Sequence, residues 1–582
     1  MPQEKIIETK KCTHCEVSFD ITDKDLEFYD KISPIFNWKK HSIPSPTLCP
    51  DCRQQERLAY RNERNLYKRT CDATWKPIIS MYSPDKKYKV YSQEEWWSDN
   101  WNALDYGKDF DFSKSFFEQF EELYKKVPLV SLISDYTKDE NSAYTNFAWS
   151  NKNCYLIFDS DFNRDCINLS SSTKNENCID CHSTHNSNFC YQTVWVENCY
   201  NCFYTVNSID CNECYECDSL IWCKNCFWCA NLRNAEYQIY NKQYTKEDYT
   251  KELAKILETK KIKFNNFLEY PKKFMITNWS ENVTGNYIYN SKNIDNSYEI
   301  YNAEDCKYCF WVHNIKSSYD VSGFWIAGLD RIYNSHVVWV WWYNVLFSNI
   351  VVQWSNNIYY SNTIYNNSSN LFWCVGMVSK NYCILNKQYT KEQYEELVPK
   401  IIEHMKKTWE WWEFFPASIS PFGYNETVAM EYFPISPPLA PPYQGGEQEK
   451  IPPLTRGRLG GGFNRSDYEA PFPKVAKIIP ANMLPDDISK IPDDILNRAI
   501  ECEVTKKPFK IIKQELDFYR KHNLPIPRRH PDQRHLDRMA LRNPRKLFDR
   551  KCAKCGIDIK TTYSPDRSEI IYCEECYERQ VY

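Results

Sequence analysis

From Cys154 to Cys226 a thiol returns at every twelfth position, at 154, 166, 178, 190, 202, 214 and 226. Between these positions short Tyr, Ile, Val and Cys steps alternate with asparagine-rich corners such as NKNCY, NENCI and VENCYNC. A second column holds Cys199, Cys211 and Cys223, three residues earlier, and a third holds Cys181, Cys217 and Cys229, three later. No helix keeps one face in register with such a period, whereas stacked short strands do. The pattern predicts a β-solenoid whose coils carry cysteines in inward columns and asparagines at the corners. A looser version runs from 292 to 374 at spacings of 12 to 14, through KNIDNSY, EDCKYCF, KSSYDV, YNVLFS, NNIYYS and SNLFWC. Both runs close alike, with IYNKQYTKEDYTKELAKI (239–256) and ILNKQYTKEQYEELVPKI (384–401). Thr245 and Thr390 are the expected helix caps, with Glu247 and Glu392 in the first turns. Each helix is suited to plug an open sheet edge.

The fold class expected is mainly β with α: a central repetitive β-solenoid in two helix-ended modules, flanked by duplicated zinc-ribbon ends. At 582 residues the chain exceeds one core. The boundaries expected are 1–100 for an N-terminal double ribbon, 101–140 for a connecting helical segment, and 141–270 and 271–415 for the two solenoid modules. A Pro/Gly-rich linker follows over 416–499, then a C-terminal double ribbon over 500–582. Within the linker, PPLAPPYQGGEQEKIPPLTRGRLGGGF (437–463) repeats PPL…GG and reads as a mobile-repeat insertion.

The two ends are copies. Adding 481 to residues 49–95 lays them on 530–576 without a gap, matching Arg53, Arg57, Arg61, Asn62, Arg64, Arg69, Cys71 and Tyr82 to identical residues. Each end therefore carries two ribbons, and metal ligands have been lost in complementary fashion. At the N-terminus the first ribbon is complete (Cys12, Cys15, Cys49, Cys52), while the second keeps Cys71 and has Thr74, Ser92 and Glu95 at the other places. At the C-terminus the first ribbon keeps Cys502 beside His530 and Gln533, and the second is complete (Cys552, Cys555, Cys573, Cys576). Two CxxC knuckles wrap four thiolates around one Zn²⁺, so two structural zinc sites are expected. Disulfides and an iron–sulfur centre are the alternatives. No open coordination position or general base is visible, so an enzyme is not the expected class.

The matching stretches LCPDCRQQERLAYRNERNLYKR, MYSPDKKYKVYSQEEWWSDNW, SPFGYNETVAMEYFP and LPIPRRHPDQRHLDRMALRNPRKL resemble an uncharacterised zinc-ribbon family of reduced-genome candidate-phylum bacteria. The resemblance covers the whole chain and departs at Ser92, Glu95 and the 437–463 segment. It implies the same architecture and a cytoplasmic setting, and brings no activity with it.

The 27 cysteines bear on compartment. MPQEKIIETKKC has no apolar h-region, so a cytoplasmic location is expected, where thiols stay reduced. HVVWVWWYNVLFSNIVVQW (336–354) is interrupted by Asn344, Ser348 and Asn349 and is a poor membrane span, so no membrane partner is expected. The solenoid cysteines read as small core residues, with metal storage or thiol sensing as the competing reading.

Net charge is only −4, but 53–69 holds six Lys/Arg against two Asp/Glu, and 534–551 holds seven against two. On a helix Arg53, Arg57, Arg61 and Arg64 fall within about 80°, and Arg534, Arg538, Arg542 and Arg545 repeat the stripe. These eight residues are candidate phosphate contacts, making nucleic acid, RNA first, the candidate partner. The competing reading is that they clamp nearby carboxylates such as Asp51, Asp72, Asp532 and Asp549. Two other function classes stand beside the nucleic-acid binder. One is a protein-interaction scaffold with its partner on the solenoid. The other is a carbohydrate-active β-helix enzyme, for which no paired carboxylates stand out.

Of 13 glycines six lie in 437–463, leaving seven for the remaining 555 residues. A turn-rich β protein is expected to need more, since glycine supplies positive φ at low cost. Trp75 aligns with Gly556. Reading UGA codons as glycine in the native host would account for both anomalies, with Trp75, Trp149, Trp409 and Trp412 as the candidate positions.

Overall fold

The computed structural model describes residues 4–259, 261–323, 329–339, 342–435, 462–471, 475 and 477–581. The 437–463 stretch lies outside these apart from Gly462 and Phe463.

From Phe147 to Tyr240 every third residue is left-handed, from Phe147 (φ 52°) through Ser150 and Asn153 to Tyr240 (φ 53°). Parallel registers step by twelve, as in Tyr155↔Ile167, His182↔Val194 and Cys214↔Cys226. One coil is therefore a four-cornered turn of three-residue sides. The residue after each corner points inward. The second module, from Thr277 to Gln388, begins with an eleven-residue step (Glu281↔Lys292), continues with twelve (Lys292↔Glu304), passes through fourteen (Ile315↔Leu329) and thirteen (Tyr343↔Asn356), and returns to twelve (Ser369↔Asn381). Left-handed asparagines (Asn290, Asn293, Asn302, Asn314) line its corners too. The expected columns and corners are thus present in both modules.

The corners explain the choice of inward residue. A left-handed residue every third position takes the next N–H out of the strand ladder, and a buried N–H must still be paired. Side chains of the previous coil accept it. Cys178 N donates to Cys166 Sγ (3.4 Å) and Cys190 N to Cys178 Sγ (3.4 Å), while the Cys178 thiol donates back to Glu176 O (3.3 Å). Serine does the same in module two, where Ser361 N donates to Ser348 Oγ (3.1 Å) and that hydroxyl to Leu346 O (2.9 Å). Asparagine serves in Asn151, Asn163 and Asn175, whose amides form a buried ladder at 3.1 and 3.0 Å. Where an inward position must accept the N–H of the next coil, a small side chain that both donates and accepts is used, and Ile, Leu and Val fill other inward positions.

The expected glycine requirement does not hold: asparagine, aspartate, serine and aromatic residues occupy the left-handed corners instead. Each such residue is strained alone, and the stacked coils on either side hold it in place. Among the recoding candidates Trp75 (φ 60°), Trp409 (φ 59°) and Trp412 (φ 75°) are left-handed and Trp149 is not.

Both modules end on the same device. Asn241 turns its side-chain amide onto Ala230, accepting from its N–H (2.9 Å) and donating to its carbonyl (2.8 Å). Asn386 does this to Val375 at 2.8 and 2.8 Å. The side chain replaces the next coil. The plug helices then follow, Lys246–Thr259 and Lys391–Lys407, with Thr245 and Thr390 as caps and with Tyr249 and Tyr394 buried against the closing coils.

The modules lie side by side and run in opposite directions. Trp195 stacks on Tyr287 (3.9 Å) and Tyr287 Oη donates to Asn207 (2.6 Å), whereas the early corner Asp159 faces the later Trp311 across Arg61. The N-terminal unit packs mainly on module two, as in Phe28 stacked on Tyr319 (3.8 Å). The C-terminal unit packs on module one, where Tyr519 and Ile500 meet Tyr191 and Phe203. Residues 416–499, expected as a linker, are folded at both described ends. Tyr424, Val428 and Ala429 are buried against Leu58 and Ala59, and Ile478–Pro480 pairs with Ala499–Glu501.

Candidate metal centres and arginine grips

Four knuckles of one design are present. In the first, Cys12 N donates to Val17 O (2.9 Å) and Glu16 N to Cys12 O (3.0 Å); Cys71, Cys502 and Cys552 repeat both bonds. The fourth residue after each cysteine is left-handed: Glu16 (62°), Trp75 (60°), Lys506 (60°) and Gly556 (78°).

Two knuckles belong to complete ligand sets. Cys12, Cys15, Cys49 and Cys52 bring their sulfurs within 4.8 Å of one another, and so do Cys552, Cys555, Cys573 and Cys576. Cys49 is the N-cap of the Pro50–Leu58 helix, with Pro50 at its first position, so Cys52 falls in the first turn beside it. The Cys12 thiol is pulled far down by hydrogen bonds from the Cys49 and Cys52 thiols. Burial pushes the Cys552 thiol up, but the N–H groups of Cys555 and Cys573 bring it down to about 6. Four converging sulfurs, some already favouring the thiolate, fit a metal ion.

The other two knuckles keep their shape by other means. Ser92 N donates to Cys71 Sγ (3.3 Å), the bond that Cys573 N makes to Cys552 Sγ (3.3 Å), and Ser92 Oγ caps its helix by accepting from Glu95 N (3.3 Å). His530, at the place of Cys49, caps the Pro531–Met539 helix through Nδ1, which accepts from Asp532 N (3.2 Å). Gln533, at the place of Cys52, donates to Asp537 (2.8 Å). Hydrogen-bonding caps have taken over where thiolates were lost.

The arginine stripes face inward. Arg53, Arg57, Arg61, Arg534 and Arg538 are at most 4% exposed. Arg53 pairs with Asp320 (2.9 Å), and Arg57 reaches Asp320 (3.5 Å) and Asn334 (2.8 Å). Arg61 binds Asp159 (2.5 Å) and lies over Phe147 (4.4 Å). Arg64 bonds Asn168 (2.8 Å) and reaches Asp532 (3.5 Å), which joins the two ends of the chain. In the copy, Arg534 pairs with Asp180 and Glu515, Arg538 with Asp180 (3.3 Å), and Arg545 with Glu299 (3.0 Å). These eight residues therefore offer no exposed guanidinium stripe. Asp159, Asp180, Asp320 and Glu299 among their carboxylate partners are solenoid residues, while Glu63 and Glu515 lie in the end units; of the local acids expected only Asp532 takes part, and Asp72 pairs with Arg69 (3.1 Å) and Asp549 with Lys560 (3.3 Å). Asp159, Asp180 and Asp320 could have been sought as acids at corner positions that asparagine otherwise fills, as Asn168 does one coil before Asp180.

Arg542 heads a buried polar chain. It donates to His182 Nε2 (2.8 Å), which leaves the proton on His182 Nδ1 to donate to Ser170 Oγ (2.8 Å). Ser170 in turn meets His535 Nδ1 (3.3 Å), and His535 Nε2 donates to Glu431 (3.2 Å). The composition suggests a catalytic relay, but Ser170, His182 and His535 are each 3% exposed, so the chain serves as a clasp that ties the solenoid to the Pro531–Met539 helix and to Glu431. All 27 cysteines are free, and no helix among the described residues is long and apolar enough to cross a membrane. No protein-family model and no curated protein matches this chain.

Proposed function

We propose that the chain is a non-enzymatic scaffold, in which a zinc ribbon at each end locks two antiparallel β-solenoids and their outer coil faces receive a protein partner. Zinc is the ion we assign to the two four-cysteine sites, since closed thiolate sets suit a d¹⁰ ion with no geometric preference. The observation that carries the reading is the burial of the arginine stripes. Guanidinia paired with Asp320, Asp159, Asp180 and Glu299 act as docking pins, and phosphate binding requires them free.

The outer faces supply regular arrays in their place. Asn290, Asn302 and Asn314 form an exposed amide ladder at 2.6 and 3.0 Å, beside the alternating pairs Glu281–Lys292 (3.1 Å) and Glu304–Lys316 (2.6 Å). They border an open depression of about 560 Å³. The test is to titrate the zinc-loaded full chain with labelled RNA over a salt series, and to cross-link it in extract of its own cells. The reading expects no salt-dependent RNA binding and a defined protein cross-linked to the 281–316 face, released by Lys292→Glu with Lys316→Glu. RNA affinity that falls steeply with salt would overturn it in favour of a nucleic-acid binder.

A further inference from the structure

The two modules share one backbone design but not one core. The apolar core of module two is Ile, Val, Leu and Met with four cysteines, and serine makes the N–H contacts. The core of module one holds thirteen cysteines. The coil geometry therefore does not by itself demand thiols, and their concentration in one module needs a separate reason.

The density is greatest in two consecutive coils. Cys211, Cys214 and Cys217 occupy three of the four inward positions of one coil, and Cys223, Cys226 and Cys229 those of the next, each at most 1% exposed. The thiols are aligned along and across the coils. Register sets Cys214 beside Cys226, the columns repeat from one coil to the next, and each thiol donates to a backbone carbonyl, as Cys214 to Asn212 O (3.4 Å) and Cys226 to Lys224 O (3.4 Å). A backbone N–H of the following coil already points at sulfur, since Asn241 N donates to Cys229 Sγ (3.4 Å), as Cys190 N does to Cys178 Sγ (3.4 Å) earlier in the module. The four-cysteine ribbons use the same N–H to sulfur contact at Cys552 (3.3 Å). Such donors stabilise negative charge on a sulfur ligand.

We infer that this thiol box is a binding site for soft d¹⁰ cations of the Cu(I) class. Thiolate sulfur selects Cu(I) over the hard cations, and the surrounding aliphatic walls and backbone exclude the water that would compete. Each metal–sulfur bond replaces an S–H bond, with the proton leaving to solvent and no change of oxidation state. The site is separate from the two ribbon sites and is independent of the scaffold reading.

The experiment uses the full zinc-loaded chain, reduced and kept anaerobic, with Cu(I) supplied as its acetonitrile complex and both metals counted after desalting. The expected result is at least two Cu(I) per chain with both zinc ions retained. The variant Cys214→Ser, Cys217→Ser, Cys226→Ser, Cys229→Ser keeps the donor–acceptor side chains that module two uses, and is expected to lose at least half of the copper while keeping its zinc. Copper taken up only as zinc is lost, or equal uptake by a folded variant, overturns the inference. If the variant does not fold, the zinc count on the unaltered chain decides alone.

Discussion

Asp180 and Asp320 hold the same place in the two solenoids: each is a fully buried left-handed corner (φ 57°) gripped by two arginines four residues apart on a docking helix. The duplicated ends therefore dock by one rule on different modules, the first helix on module two and the second on module one. Arg64 and Asp532 close the arrangement where the two ends meet.

Removing Asp320 leaves Arg53 and Arg57 buried without their counter-charge, and removing Asp180 does this to Arg538 while Arg534 keeps Glu515. Asp320→Asn and Asp180→Asn are each expected to destabilise the fold by about 3–5 kcal/mol. Urea unfolding followed by tryptophan fluorescence checks this. A loss below about 1 kcal/mol would mean that the grips are not what fastens the ends. Replacing the whole set, Asp320→Leu with Arg53→Met and Arg57→Met, should cost much less than Asp320→Asn, because no uncompensated charge remains.

Chelation separates the two docking helices. The Pro50–Leu58 helix starts on the ligands Cys49 and Cys52, whereas Pro531–Met539 starts on the His530 cap. Removing metal from the folded chain is expected to release two equivalents and to speed amide exchange at least tenfold over 49–60. The 530–541 segment should keep its protection. Hydrogen-exchange mass spectrometry with and without chelator reads this, and equal deprotection of both helices would contradict it.

His336 gives the fold an acid-sensitive term. Burial, reinforced by Arg61 and Arg57, holds its imidazole well below 6.5, and neither ring nitrogen has a hydrogen-bond partner. The unfolded chain binds a proton near pH 6.5 that the folded chain refuses, so this contribution is complete above that pH and shrinks as pH falls. The slope is about 1.4 kcal/mol per pH unit. Between pH 6 and 5, His336→Leu should lose stability more slowly than the unaltered chain by about that amount. The other titrating groups are common to both proteins, so the difference in urea midpoints isolates His336. Parallel pH curves would sink the assignment.

The twelve-residue period, the copied ends and the eight ribbon ligands were legible because each is a repeat or a fixed spacing along the chain. The targets of the arginines were not, since a stripe on a helix has the same sequence whether it faces solvent or a carboxylate about 270 residues away. The role of the solenoid cysteines was half legible. Their inward columns follow from the period, but the pairing of N–H with sulfur follows from left-handed corners, which the asparagines signal at some positions and the aromatic and aliphatic corner residues hide at others. Few glycines are needed for a related reason: stacking of similar coils stabilises corners that an isolated turn would give to glycine.

This makes the tryptophan question sharper, because left-handed geometry alone no longer singles out a glycine site. Glu16 and Lys506 hold the same knuckle position as Trp75 and Gly556. What separates Trp75 is that its large apolar side chain is 78% exposed at that strained position. Packing gives it little return for the strain. Trp75→Gly is therefore expected to stabilise the chain by up to about 1–2 kcal/mol. Gly556→Trp should cost a similar amount, since a Cβ at Gly556 meets nothing within 4 Å and only the backbone term is felt. Trp149 is the control: it is not left-handed and packs against the aromatic core, so Trp149→Gly should destabilise. Thermal unfolding of the three variants reads the signs. The codons at 75 and at 409, which is also left-handed and 71% exposed, then decide the origin, with UGA there and UGG at 149 as the expected outcome. UGG at all four candidate positions would establish the tryptophans as native and leave Trp75 as strain that the fold tolerates.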